Sequence, residues 1–218
     1  MAEPNRKQIV QALLDRHGRT YADELGIDLA RGTPSPLFRW LCASILLSAR
    51  IRAENAMRAA RALADHGWTT AQKMAASTWE QRTRTLNQAG YARYDESTSR
   101  MLGDTASMLL DLYGGDLRRL REAAGRTPAR ERALLKQSRG LGDVGADIFL
   151  REAQIAWEEV YPFADRRALE IAGRLGLEKD VSALARYVPR KDFPRLTAAL
   201  IRTGLAKNLD GILDQAHS

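Results

Sequence analysis

The chain has 218 residues, 44% of them hydrophobic, and a formal net charge of +7, enough for one large or two small globular domains. Its single cysteine, Cys42, excludes an intramolecular disulfide and a cysteine-ligated iron–sulfur cluster, and its three scattered histidines, His17, His66 and His217, form no metal-ligand pair. The longest apolar run, Leu41 to Leu47, is too short to cross a bilayer, and Met1-Ala2-Glu3-Pro4 lacks the basic start and apolar stretch of a secretory signal, so a cytoplasmic protein without membrane contact is expected.

Helical periodicity runs through the chain in order. Asn5 to His17 sets Ile9, Val10, Leu13 and Leu14 on one face, and Gly18 can end that helix. A loop with Gly32, Pro34 and Pro36 follows, and Ser35-Pro36 opens a helix through Trp40, Leu41, Ile45 and Leu47. Helices are predicted over about Ala53 to Ala64, Thr70 to Ala76 and Thr78 to Gln88. After Gly90-Tyr91 a longer one carries Met101, Leu102, Ala106, Leu109 and Leu110 to the Gly114-Gly115 stop. Thr127-Pro128 reads as cap and first turn of the next helix. Beyond Gly140-Leu141-Gly142 a helix runs from Asp143 to about Trp157, and others start at Asp165, Val181 and Pro194. No stretch alternates as a strand does, so the fold class is all-α.

The excess of arginine over lysine suits phosphate, although a merely basic surface has the same composition. The most informative stretch is Leu134 to Leu150, which reads as helix, tight Gly-x-Gly hairpin, helix. Glycines allow left-handed backbone angles and close approach. The second helix then offers unpaired N–H groups and a positive dipole end, a phosphate site that reads no base sequence. An ordinary helix–helix turn has the same local pattern.

The run Gly140 to Leu150, with both hairpin glycines, Ala146 and apolar Ile148-Phe149-Leu150, resembles the helix-hairpin-helix of the endonuclease III glycosylase superfamily. Phe163-Ala164-Asp165-Arg166-Arg167-Ala168-Leu169 through Leu177 resembles the segment that bears that superfamily's essential aspartate. Ser35 to Arg50 resembles its early core helix and DNA-entering loop, and Gly90-Tyr91 sits where it places a wedge. Cluster-free members of the superfamily include small bacterial 3-methyladenine glycosylases, and this hairpin closely resembles theirs.

The resemblance implies a base-excision DNA glycosylase acting on double-stranded DNA as a monomer in the nucleoid. Two helical lobes would flank a DNA-binding cleft, one of residues 32–152 and the other of 1–31 with 153–218. Asp165 would be the catalytic carboxylate that stabilises a sugar with oxocarbenium character, and capping of the next helix is its alternative role. Gly140, Leu141, Gly142 and Gly145 would hold one DNA strand through main-chain amides. Arg50 would fill the gap left by the extruded base, Tyr91 would wedge, and Lys207 would contact phosphate. Arg166 and Arg167 would grip phosphate and keep Asp165 ionised. No cofactor is required, and a monovalent cation at the hairpin is implied.

Departures from the superfamily pattern sharpen these expectations. Val144 stands where bifunctional members carry a lysine, which implies a monofunctional enzyme, and Lys136 is read as a surface or phosphate-contact residue. The C-terminal cysteines are absent, so the tail must pack through Leu184, Val188, Leu196, Leu200, Ile201, Leu205 and Leu209. Ala43 argues against the adenine-mismatch branch. Ile51, Arg52 and Ala53 replace a base-stacking aromatic, for which Phe38, Trp40, Tyr161 and Phe163 are the candidate substitutes. Asp143 and Asp147 put negative charge beside the hairpin, Asp143 as a candidate cap. The leading substrate is an alkylated purine. The rivals are a non-catalytic helix-hairpin-helix DNA-binding protein, a lyase using another amine, and a helical scaffold without DNA affinity.

Overall fold

The computed structural model describes residues 5–217, so the reading of Met1–Pro4 lies outside the described residues. The described chain is all-helical, with no strand. The first helix, α1 (Arg6–His17), starts from a capping box: Asn5 takes the Gln8 N–H, and the Gln8 side chain takes the Asn5 N–H. Next comes a short helix that the periodicity did not reveal, α2 (Tyr21–Glu24), capped by Thr20. Too short to stand on its own bonds, it is held from a distance. The buried Glu152 carboxylate accepts from the N–H groups of Tyr21 and Ala22 at 2.9 and 2.8 Å.

The remaining helices are α3 (Pro34–Ser48), α4 (Ala53–Asp65), α5 (Ala71–Ala76), α6 (Trp79–Gln88), α7 (Asp95–Tyr113), α8 (Leu117–Ala123) and α9 (Pro128–Leu135), followed by α10 (Asp143–Ala153), α11 (Arg166–Arg174), α12 (Val181–Ala185), α13 (Phe193–Ala206) and α14 (Leu209–His217). The start of α3 lies just ahead of the Ser35-Pro36 pair, because Pro34, with no N–H to satisfy, fits the first turn as well. Thr70 and Thr78 cap α5 and α6 through their hydroxyls. Thr127 does not cap α9. Its hydroxyl donates to the Gly125 carbonyl instead, and Pro128 starts the helix without a side-chain cap. The unanticipated α8 is capped by Asp116 and buries Leu117 and Leu120.

At the centre stands α3, buried on nearly every side through Leu37, Phe38, Trp40, Leu41, Ala43, Ile45 and Leu46. It packs against α4 and α10, while α5 and α6 pack on α7. The N-terminal α1 lies against α13 and α14, α11 lies against α13, and α10 touches both α3 and α13. The tail buries Leu184, Leu196, Leu200 and Ile201 as its pattern requires, with Val188 and Leu209 half-buried against the core. Leu205 departs from that expectation: it is 46% exposed, because its face of α13 borders a cavity rather than the core. No described helix is long and apolar enough to cross a membrane, and no cluster of three or more candidate metal ligands occurs among the described residues.

Candidate nucleic-acid interface and catalytic cavity

The corner Gly140-Leu141-Gly142 joins α9 to α10. Gly140 has φ +85°, and a Cβ there would lie 2.5 Å from Met101 Sδ, so backbone angle and close packing both demand glycine. A Cβ on Gly145 would meet Leu141 Cδ1 at 2.7 Å. Gly142 is different. It has φ −74° and is exposed, and a Cβ there would meet nothing within 4 Å, so no contact inside the protein requires its missing side chain.

Gly142 caps α10, and the N–H groups of Gly142, Asp143, Val144 and Gly145 find no acceptor among the described residues. These are the unpaired donors of a helix N-terminus. Leu141 is not among them: its N–H donates to the Ser138 carbonyl at 3.0 Å and its side chain is buried, so it secures the turn instead of offering an amide outward. Asp143 occupies the first helical position and makes no capping bond. Its carboxylate accepts from Lys136 Nζ at 2.7 Å and Arg132 Nη2 at 2.9 Å, and these cations hold it below the usual carboxylate range. The other arm of Arg132 donates to Asp147 Oδ1. Both acids beside the corner are thus paired with cations.

Behind the corner lies a cavity of about 1020 Å³. One wall is the α10 face carrying Val144, Asp147, Ile148 and Arg151. The Ser48–Arg52 stretch forms another, Asp165, Arg166 and Arg167 a third, and Tyr21, Ile201 and Leu205 complete the lining. Asp165 is 7% exposed and caps α11, its Oδ1 accepting from the Ala168 N–H at 3.0 Å. Its Oδ2 accepts from Arg151 Nε at 2.7 Å and from Arg151 Nη2. Capping and a place on the cavity wall therefore coexist.

The cation that holds Asp165 is Arg151, a residue that the sequence pattern did not single out. Arg166 and Arg167 do not hold it. The Arg166 side chain is almost fully exposed and pairs with Glu170 at 2.7 Å, and both arginines sit at the cavity rim.

Arg50 is exposed and lines the cavity. Lys207 is exposed at the end of α13 with φ +53°, away from the cavity lining. The expectation of a Tyr91 wedge does not fit its placement. Its ring is fully buried, and its hydroxyl donates to the Leu46 carbonyl at 3.0 Å. A residue after a turn can face either way, and here the apolar ring takes the core.

Phe38 and Trp40 are likewise core residues, the Trp40 indole donating to the Phe149 carbonyl at 3.0 Å. Tyr161 and Phe163 are half-buried and do not line the cavity. The aromatic that does is Tyr21, with the Arg202 guanidinium 3.9 Å from its ring centroid. The hydrophobic periodicity does not mark Tyr21, and the long-range clamp of Glu152 on α2 helps to hold it at the cavity. Cys42 is buried, and burial pushes its thiol up, away from the reactive thiolate.

The fold and site define an all-helical protein with a glycine-cornered helix pair beside an arginine-rimmed cavity that holds a buried aspartate. No protein-family model and no curated protein matches the chain. Solved structures similar to it include a trapped endonuclease III–DNA covalent intermediate, an estranged-adenine complex. It is 18% identical with a TM-score of 0.48, over 75% of this chain and 71% of that chain. A non-covalent endonuclease III–DNA complex is 19% identical with a TM-score of 0.49, over the same 75% and 71%.

Proposed function

We propose that the protein is a monofunctional DNA glycosylase of base-excision repair, hydrolysing the N-glycosidic bond of a damaged or mismatched base, with an alkylated purine as the leading substrate. The observation that carries this reading is the meeting of two features on α10. Its N-terminus leaves backbone donors unpaired at a bare glycine corner, and its inner face forms one wall of the cavity that holds Asp165. The corner would take a phosphate of double-stranded DNA. Arg50 and Arg166 at the rim would add cationic contacts, and a flipped nucleotide would enter the cavity. There the Asp165 charge would stabilise the sugar as the bond to the base breaks.

Val144, 61% exposed, brings no amine to the cavity, and no lysine lines it among the described residues. Lys136 is engaged by Asp143 on the preceding side of the corner. Both support hydrolysis without strand cleavage. We further read α1 with the C-terminal helices as one lobe (1–31 and 153–218) and residues 32–152 as the other, in a monomer working on the nucleoid. A monovalent cation between the hairpin carbonyls and a phosphate belongs to the same proposal.

Duplexes bearing alkylated purines, uracil, thymine mismatches or oxidised bases, incubated with the protein and then treated with alkali, test the proposal. Strand breaks that require alkali, and that Asp165→Asn abolishes while duplex binding persists, are the expected result. A second reading is favoured by the engagement of Asp165 with Arg151 and Ala168: a helix-hairpin-helix protein that grips DNA without chemistry. Salt-sensitive binding with no product on any duplex would establish that reading instead.

A further inference from the structure

We propose that Asp147 is a second catalytic carboxylate of the cavity, the general base that takes a proton from the attacking water through its free Oδ2, while Asp165 serves as a fixed negative charge. This assignment rests on the glycosylase reading above and divides its chemistry between two acids.

The division follows from what each carboxylate already touches. Asp165 Oδ1 is committed to the Ala168 N–H, and Oδ2 receives two N–H groups of one guanidinium. Arg151 and Asp165 are both at least nine-tenths buried. An attacking water would have to displace one of these donors to reach either Asp165 oxygen, and displacing Arg151 would leave that cation buried without its partner, which is costly.

Asp147 is built differently. It stands one turn before Arg151 on the same α10 face, lines the same cavity and feels the charges of both Arg151 and Asp165. Arg132 holds only Oδ1, from outside the cavity wall, and no described residue donates to Oδ2. The side chain is 29% exposed, so water reaches it. Burial raises its carboxyl above the ordinary aspartate range despite Arg132, in the direction that makes a better base near neutrality. One carboxylate is thus oriented with a vacant oxygen, and the other is locked by a guanidinium.

The step balances without a co-reactant. The bond from C1′ to the base nitrogen breaks, and its electron pair leaves with the base. The water oxygen bonds to C1′ and its proton passes to Asp147 Oδ2. A purine made cationic by alkylation departs neutral, a neutral base collects a proton from solvent, and Asp147 later returns its own proton to solvent. The products are the free base and an abasic sugar.

The competing role for Asp147 is a brace, tying α10 to α9 through Arg132. Asp147→Asn separates the two, because the amide oxygen can still accept from Arg132. Single-turnover cleavage of a bound alkylated-purine duplex would be measured with and without azide, an anionic nucleophile that needs no base. For D147N we expect duplex affinity no weaker than the parent's, a loss of about 10²–10⁴-fold in rate, and recovery with azide to give the glycosyl azide. D165N should not recover. A D147N rate within about threefold of the parent, or a loss that azide does not relieve, overturns the assignment of Asp147 alone. A parent protein inert on every duplex sinks the glycosylase reading and this assignment with it.

Discussion

Arg151 and Asp165 form a buried ion pair across the junction of α10 and α11, with Arg151 Nε 2.7 Å from Asp165 Oδ2. Asp165 also starts α11 through the Ala168 N–H, so one carboxylate fixes both the helix and its own angle to the cavity. Removing one partner of such a pair strands the other. Arg151→Met should cost about 3–5 kcal/mol. Arg151→Met with Asp165→Asn should cost less than the sum of the two single changes, since Asn still caps and no charge is left unpaired. Denaturant midpoints of the four proteins measure the coupling. Additive costs would show that the pair contributes nothing as a pair.

The two corner glycines should part company on substitution. Gly140→Ala forces a Cβ onto Met101 Sδ at a left-handed φ, so a loss of at least about 1–2 kcal/mol is expected. Gly142 has an ordinary φ and free space, so Gly142→Ala should leave stability unchanged or raise it by about 0.4–1 kcal/mol. If a phosphate lies against that bare backbone, the same methyl group weakens duplex binding. Thermal melts paired with fluorescence anisotropy check this. A G142A protein that melts normally and binds normally would remove the corner from the interface.

Much of the helical frame was readable from the chain. Asn5, Thr70, Thr78 and Asp165 stand at helix starts, and in each case the side chain takes an N–H of the first turn, a local bond between near neighbours. Part of what escaped depends on distant partners. The short α2 is clamped by Glu152 across 130 positions, and that contact helps to set Tyr21 at the cavity. Arg151 sits in the buried run from Ile148 to Ala153 of α10, where a charge signals a partner without naming it. Tyr91 and Leu205 exchange the environments that their types suggest, the first inside and the second at the rim. Periodicity assigns a face to a helix, but whether that face meets core or cavity is decided by the other helices.

Two buried acids set the pH response. Burial lifts the Glu152 carboxyl to about 7, although the Tyr21 and Ala22 N–H groups favour its charge. Glu131 is completely buried with no donor on either oxygen among the described residues; burial, with the Glu159 carboxylate beside it, raises it too. A carboxyl raised on folding binds its proton more tightly in the native state. Its stabilising contribution is full below the unfolded value and is lost as pH rises through the folded one. Stability should therefore fall as pH climbs from about 4.5 through neutrality, the Glu152 share being lost through about pH 7. Glu159 acts oppositely. Burial opposes its charge, yet Arg121 draws the carboxyl down, so its contribution is present above the unfolded value and lost as pH drops further. Urea midpoints from pH 5 to 8 should decline for the parent and decline less for Glu131→Gln. A flat profile in the parent would rule out this account of both raised acids.

Arg132 bridges Asp143 and Asp147 at the rim of the corner, and its charge is what makes two acids compatible with a phosphate beside them. In Arg132→Ala, Asp143 keeps Lys136, but Asp147 loses its cation and the corner becomes more negative. Repulsion between a phosphate and an unpaired carboxylate in water amounts to about 1 kcal/mol at contact range. Duplex affinity should therefore drop roughly fivefold at low salt, with little difference from the parent near 1 M salt, where the Debye length is about 3 Å. Arg50→Ala, at the opposite rim, should instead lower the slope of log affinity against log salt by about 1, as for the loss of one phosphate contact. Anisotropy titrations across a salt series distinguish the two. If neither variant shifts the curve, DNA does not approach this face, and the cavity serves some other ligand.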